Sequence, residues 1–148
     1  MITTLIKSYD RLVETLVAYT TPVILLAMRL LVAEAFFRAG QTKIANWGST
    51  LYLFEEEYSV PLLPYELAAY LATATELIIP VLLVFGFLAR PAAAVLFVFN
   101  IVAVISYPVL WEQGFYDHRY WGAMLLTLCL LGAGKISIDH WLRSRLSG

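Results

Sequence analysis

Charge is what this 148-residue chain has least of. Only 14% of its residues are Asp, Glu, Lys or Arg, against about 25% in an ordinary soluble domain. The 10 basic and 11 acidic residues nearly cancel, to a net charge of −1, which gives no polyanion-binding surface and excludes a nucleic-acid binder. Cysteine is scarcer still. A single one, Cys129, excludes an internal disulfide, a CxxC redox pair and a Cys-rich metal site. It lies in an apolar run and reads as a small buried residue. A phosphate loop, a nucleophile elbow and a dinucleotide fingerprint are all missing, so independent catalysis is not expected. What the chain has is grease: 61% apolar residues and a mean hydropathy of +0.76. That excludes a disordered chain and a water-soluble globule, and leaves a small polytopic membrane protein of the all-α class.

A membrane helix needs roughly 20 mostly apolar residues. Four stretches meet or approach this, at about 19–37, 65–88, 91–110 and 120–134, and predict one four-helix membrane domain over 1–148. The second and third spans, separated only by Ala89 and Arg90, predict a tight hairpin. Lys7, Arg11, Arg90, Lys135, Arg143 and Arg145 fall on the side of the N-terminus, and only Lys43 and Arg119 on the other. Positive loops stay inside, so both termini are expected in the cytoplasm. The acids Glu55, Glu56, Glu57, Glu66, Glu112 and Asp117 then fall outside. Residues 1–18 show no cleavable signal pattern. Leu5, Tyr9, Leu12 and Leu16 recur at helical spacing there and predict an amphipathic helix on the inner membrane surface.

Several residues recur in a familiar order. Arg29, Phe36, Gly40 and Lys43 line the first span and its exit, and Glu76, Gly86 and Arg90 follow in the second. The fourth span closes on Gly132, Gly134, Lys135, Ser137 and Asp139 in a GxGKxSxD pattern. On these residues the chain resembles the DoxX family of four-span bacterial membrane proteins, over about residues 22–140. The resemblance implies a four-helix bundle in the bacterial cytoplasmic membrane and an association with redox work. Some members resemble a small subunit of a thiosulfate:quinone oxidoreductase. Others are encoded beside enzymes that modify copper-binding peptides, and distant eukaryotic relatives look like cargo receptors or assembly chaperones. Such a resemblance constrains architecture more than chemistry.

Four ionisable residues fall inside the spans: Arg29, Glu34, Arg38 and Glu76. A charge near the bilayer centre costs at least about 2.5–3.5 kcal/mol and needs a partner. At about 1.5 Å of rise per residue, Arg29 and Glu76 both reach the midplane, with Asn100 of the third span at similar depth. An Arg29–Glu76 pair is therefore expected at the centre of a polar layer. Glu34 and Arg38, at i,i+4 spacing, are expected to pair separately. Pro80 removes the helical donor to the Glu76 carbonyl. The layer reads either as a clamp or as a site for a ligand or proton.

The outer end is rich in rings. Trp111, Tyr116, Tyr120 and Trp121 read either as an interfacial belt or, with His118, as the rim of a slot for a quinone. Haem is not expected, because His118 and His140 would stand about 33 Å apart along one helix. No metal-ligand spacing is present. At the inner end, Ser137 or Asp139 is expected to cap a terminal helix, and Arg90 to meet Asp139. Three functions stay open. The first is an accessory membrane protein of a redox pathway, working with a membrane or periplasmic partner or a second copy of itself. The second is a membrane chaperone or carrier for a small exported peptide, using the run Glu55–Glu57. The third is a proton-coupled transporter using Glu76, for which no internal repeat is evident.

Overall fold

The computed structural model describes residues 2–111, without the Trp111 side chain, and residues 114–146. Glu112, one of the expected outer acids, lies outside the described residues. The described residues form six α-helices: α1 (Ile2–Ala45), α2 (Trp47–Glu56), α3 (Tyr65–Phe85), α4 (Ala89–Ser106), α5 (Phe115–Leu131) and α6 (Ile138–Leu146). A short 3-10 turn, Pro108–Trp111, follows α4. No strand occurs among them. Helices α1, α3 and α4 are each long and apolar enough to cross a membrane. The 17-residue α5 completes the ring, packing on α4 and on α1. The expected all-α membrane bundle is borne out.

The expected start of the first span is not where a helix begins. Residues 2–18 run without a break into the span, giving one helix of 44 residues, about 66 Å long. No glycine interrupts it before residue 40, and Pro22 is accommodated inside it. Its first part, residues 2–20, is exposed throughout. Packing begins at Leu25 and continues through Arg29, Val32, Ala33, Phe36 and Gly40 on one face. The partner face of α3 carries Ala68, Ala69, Ala72, Thr73, Glu76, Pro80 and Leu83. These stripes are rich in small residues, which let helices approach closely where lipid offers no hydrophobic drive. At Gly40 a side chain would stand 2.9 Å from Leu77 and 3.0 Å from the Glu76 β-carbon.

One end of the bundle is a knot of backbone hydrogen bonds. Gly86 adopts the left-handed conformation and ends α3, with Gly86 N–H donating to Leu83 O and Phe87 N–H to Leu82 O. This paired arrangement satisfies carbonyls that a helix end leaves orphaned. The turn 86–88, rather than residues 89 and 90, makes the hairpin. Helix α4 has no local side-chain cap; the Asp139 carboxylate instead accepts from Leu88 and Ala89 N–H, at 2.8 and 2.9 Å. Asp139 N–H in turn donates to Gly86 O. The expected Arg90–Asp139 contact is thus replaced. Asp139 answers the electropositive start of α4, while Arg90 lies along Gly132. Ser137, not Asp139, caps α6, accepting from His140 N–H. Gly134 is left-handed and faces Leu25 of α1, and Lys135 is exposed.

Arg29 locks this end to α1. It is fully buried, and its guanidinium donates to Leu83 O at 3.3 Å and Ile136 O at 2.5 Å. A β-carbon at Gly86 would stand 2.1 Å from Arg29 Nη1 and 2.6 Å from the Ser137 β-carbon. Gly86→Ala is therefore expected to destabilise the bundle by about 1–3 kcal/mol or more. Gly48→Ala, which meets only an Asn46 oxygen at 3.8 Å, should be near neutral. Thermal unfolding of both variants in mild detergent checks the contrast.

Candidate functional site

The other end of the bundle encloses a cavity of about 350 Å³, within the range of small-molecule sites. Alanines make the space: Ala35 and Ala39 of α1, Ala68 and Ala72 of α3, and Ala103 of α4. Rings shape it. Phe36 packs on Phe99 and Trp121 at centroid distances of 6.0 and 5.7 Å. Across from them Phe54, Tyr58 and Tyr107 form a second chain of edge-on contacts, each 4.6 Å apart. The walls are mostly apolar, and the polar groups among them are few: Lys43, Glu76, Tyr58, Thr75, Ser106, Tyr107 and His118.

Lys43 and Glu76 form the charged element. Lys43 Nζ lies 2.6 and 2.8 Å from the two Glu76 carboxylate oxygens, with side chains 18% and 7% exposed. An ammonium has three N–H groups, so one remains for another acceptor. The pair is positioned from both sides. The Gly40 contact sets Glu76 against α1. The Thr50 hydroxyl of α2 donates to Lys43 O, and Asn46 caps α2 by accepting from Ser49 N–H.

The second polar element joins α4 to α5. Asn100 is buried, and its Nδ2 donates to His118 O at 3.0 Å. Its Oδ1 lies 2.7 Å from His118 Nδ1. Gly122 is buried beside the Asn100 amide. Ser106 is 3% exposed, and among the described residues its hydroxyl has no partner. A buried polar atom without a partner is uncommon, and this one lines the cavity. Burial pushes the Tyr58 phenol up to about 12, with Tyr107, Glu76 and Glu57 adding to the effect.

The expected Arg29–Glu76 pair does not form. Helix α1 extends past Phe37 to Ala45, so Lys43, 14 residues and about 21 Å beyond Arg29, takes Glu76 instead. Arg29 pairs with backbone carbonyls at the far end. Asn100 joins neither charge and holds His118. The Glu34–Arg38 pair forms at 2.6 Å but faces outward, its side chains 57% and 74% exposed, so it is no part of a buried layer. Of the expected rim, His118 and Trp121 line the cavity. Tyr116 and Tyr120 are exposed and point elsewhere, and the Trp111 side chain lies outside the described residues. Tyr58, Ser106, Phe36 and Phe99 were not expected at a site. One signal was available: Phe36, Gly40 and Lys43 recur at i, i+4 and i+7, which puts Lys43 on the packed face of a longer helix.

Comparison with known proteins adds two matches. The family model described as DoxX matches residues 24–108. A Haemophilus influenzae protein described as uncharacterized is 32% identical over 126 residues, covering 78% of this chain and 80% of the relative. No solved structure matches.

Removing one partner of a buried ion pair strands the other charge. Lys43→Met is therefore expected to cost about 3–5 kcal/mol, and adding Glu76→Leu should recover most of the loss. Chemical unfolding in detergent, arranged as a double-mutant cycle, measures it. Tyr58 predicts an alkaline transition. Its phenol is held neutral in the fold up to about 12, whereas an unfolded tyrosine ionises near 10. The unfolded state thus loses its proton first, and this contribution to stability is present below pH 10 and falls between about 10 and 12. Tyr58→Phe should flatten that drop in a stability-against-pH series.

Proposed function

Taking as premise that the chain belongs to the DoxX family of membrane proteins, we propose that it serves as an accessory membrane subunit of a redox pathway and holds a quinone-type ligand in the cavity. The observation that carries this is the position of one largely buried ion pair, Lys43–Glu76, among aromatic and alanine walls. Such a site suits a flat apolar ring with a polar edge. Phe36, Phe99 and Trp121 offer ring faces and edges, and the third Lys43 N–H offers a donor to a carbonyl oxygen. The orphaned Ser106 hydroxyl fits a second polar atom of the ligand. A quinone of this kind supplies the electron-carrying chemistry; the chain's own residues bind and orient it.

Orientation follows from the basic residues. The six-to-two bias supports an orientation with the cavity end outside and both termini in the cytoplasm of a bacterial cell, across its cytoplasmic membrane. A protein partner in the membrane is favoured by Glu34 and Arg38. Glu34 of this outward-facing pair lines a surface groove with Pro80, in the body of α3, where lipid is a poor solvent for charge.

A short-chain benzoquinone analogue, titrated into purified protein in mild detergent, is expected to quench tryptophan fluorescence saturably. Ala103→Phe, which fills the cavity, and Glu76→Gln, which weakens the ion pair, should each lower the affinity about tenfold or more, or ~1.4 kcal/mol. Quenching that never saturates, or that is indifferent to Ala103→Phe, overturns the proposal.

A further inference from the structure

Asn100 decides which nitrogen of His118 carries the proton. The Asn100 amide has one donating and one accepting end. Its donating end is committed, since only Nδ2 can face the His118 carbonyl oxygen without two acceptors meeting. Oδ1 is thereby turned to the ring, 2.7 Å from Nδ1. A contact this short between an acceptor and Nδ1 requires a proton on Nδ1. In a neutral imidazole the other nitrogen is then a bare acceptor. Among the described residues Nε2 has no hydrogen-bond partner, and His118 lines the cavity.

A carbonyl oxygen against that lone pair is repelled, whereas a hydroxyl is bound. Two other polar groups accept this pattern. The third Lys43 N–H can donate to a hydroxyl oxygen as it can to a carbonyl, so it does not decide between them. Glu76 keeps lone pairs beyond those that take Lys43, and the unpartnered Ser106 hydroxyl can turn to donate or accept. Resting on the reading of the cavity as a quinone-type site, we propose that it selects the hydroxylated, reduced form of its ligand, a hydroquinone, over the quinone. His118 Nε2 accepts the ligand hydroxyl, and Asn100 acts as the positioning residue that holds the ring in this tautomer. No proton or electron transfer is needed for the selection; it is a matter of which hydrogen bonds can be made.

The test has two readouts, both at a pH well above the ordinary imidazole value of about 6.5. The first is 15N NMR of histidine-labelled protein without ligand, with His140→Gln assigning the His118 signals. A protonated Nδ1 and an unprotonated Nε2 are expected. The second is the affinity ratio of a short-chain benzoquinol to its benzoquinone, measured anaerobically in the same detergent. The quinol should bind about tenfold tighter. Asn100→Leu, which frees the tautomer, and His118→Phe, which removes the acceptor, should each bring the ratio close to one. Should Asn100→Leu fail to fold, His118→Phe carries the comparison. A ratio of one in the native protein, a preference for the quinone, or a proton on Nε2 overturns this inference and leaves the quinone-type site standing. If neither form binds, the site itself falls, and the inference with it.

Discussion

The close approach of α1 and α3 at Gly40 governs the rest of the molecule. With no side chain at that position, the helix backbones come near enough for Glu76 to lie against α1. That single register has two consequences a helix length apart. Toward one end, Arg29 reaches the Leu83 carbonyl in the last turn of α3. Toward the other, Lys43 reaches the Glu76 carboxylate. Slipping α1 by one turn, about 5.4 Å, would strand both cations in a medium that penalises unpaired charge. The two buried cations therefore act as a vernier on one helix pair, each satisfied only in the register that satisfies the other.

The two ends then differ in kind. At the Gly86 end the Asp139 carboxylate and N–H, the Ser137 hydroxyl and the two terminal nitrogens of Arg29 fasten turns to one another, while the buried Arg29 Nε has no partner among the described residues. Little there is left over for a ligand. The Lys43 end retains unused capacity, with an open ammonium proton, an unpartnered Ser106 hydroxyl and the second ring nitrogen of His118, a cavity-lining residue. The cavity end leaves hydrogen-bonding capacity unspent inside an apolar wall, and the Gly86 end spends most of its own on fastening the fold.

Much of the bundle is legible from patterning alone. The turn at Gly86 and the Asp139 cap of α4 are not read from it, since patterning puts the hairpin at residues 89 and 90 and Asp139 against Arg90. Apolar runs mark the helices, because their signal lies within one element. The Glu34–Arg38 pair is legible for the same reason, being set by one helix's own periodicity. The partner of Glu76 is not. Closing the first span at Phe37 ends α1 eight residues short and leaves Lys43 in an outer loop, so depth alone pairs Glu76 with Arg29. Ser106 and Tyr58 are equally silent, since a serine at a helix end and a tyrosine in a loop have no periodic signature of enclosing a cavity.

The sequence by itself determined an all-helical membrane chain and its handful of charges within or beside the spans. These follow from hydropathy and local backbone preference, which act within a few residues. Only the tertiary structure decided which cation meets Glu76, that Asn100 grips His118, and that alanines on three helices open a cavity between them. Those outcomes depend on the axial register and rotation of one helix against another. A shift of a single turn changes every pairing while leaving each helix's own pattern intact.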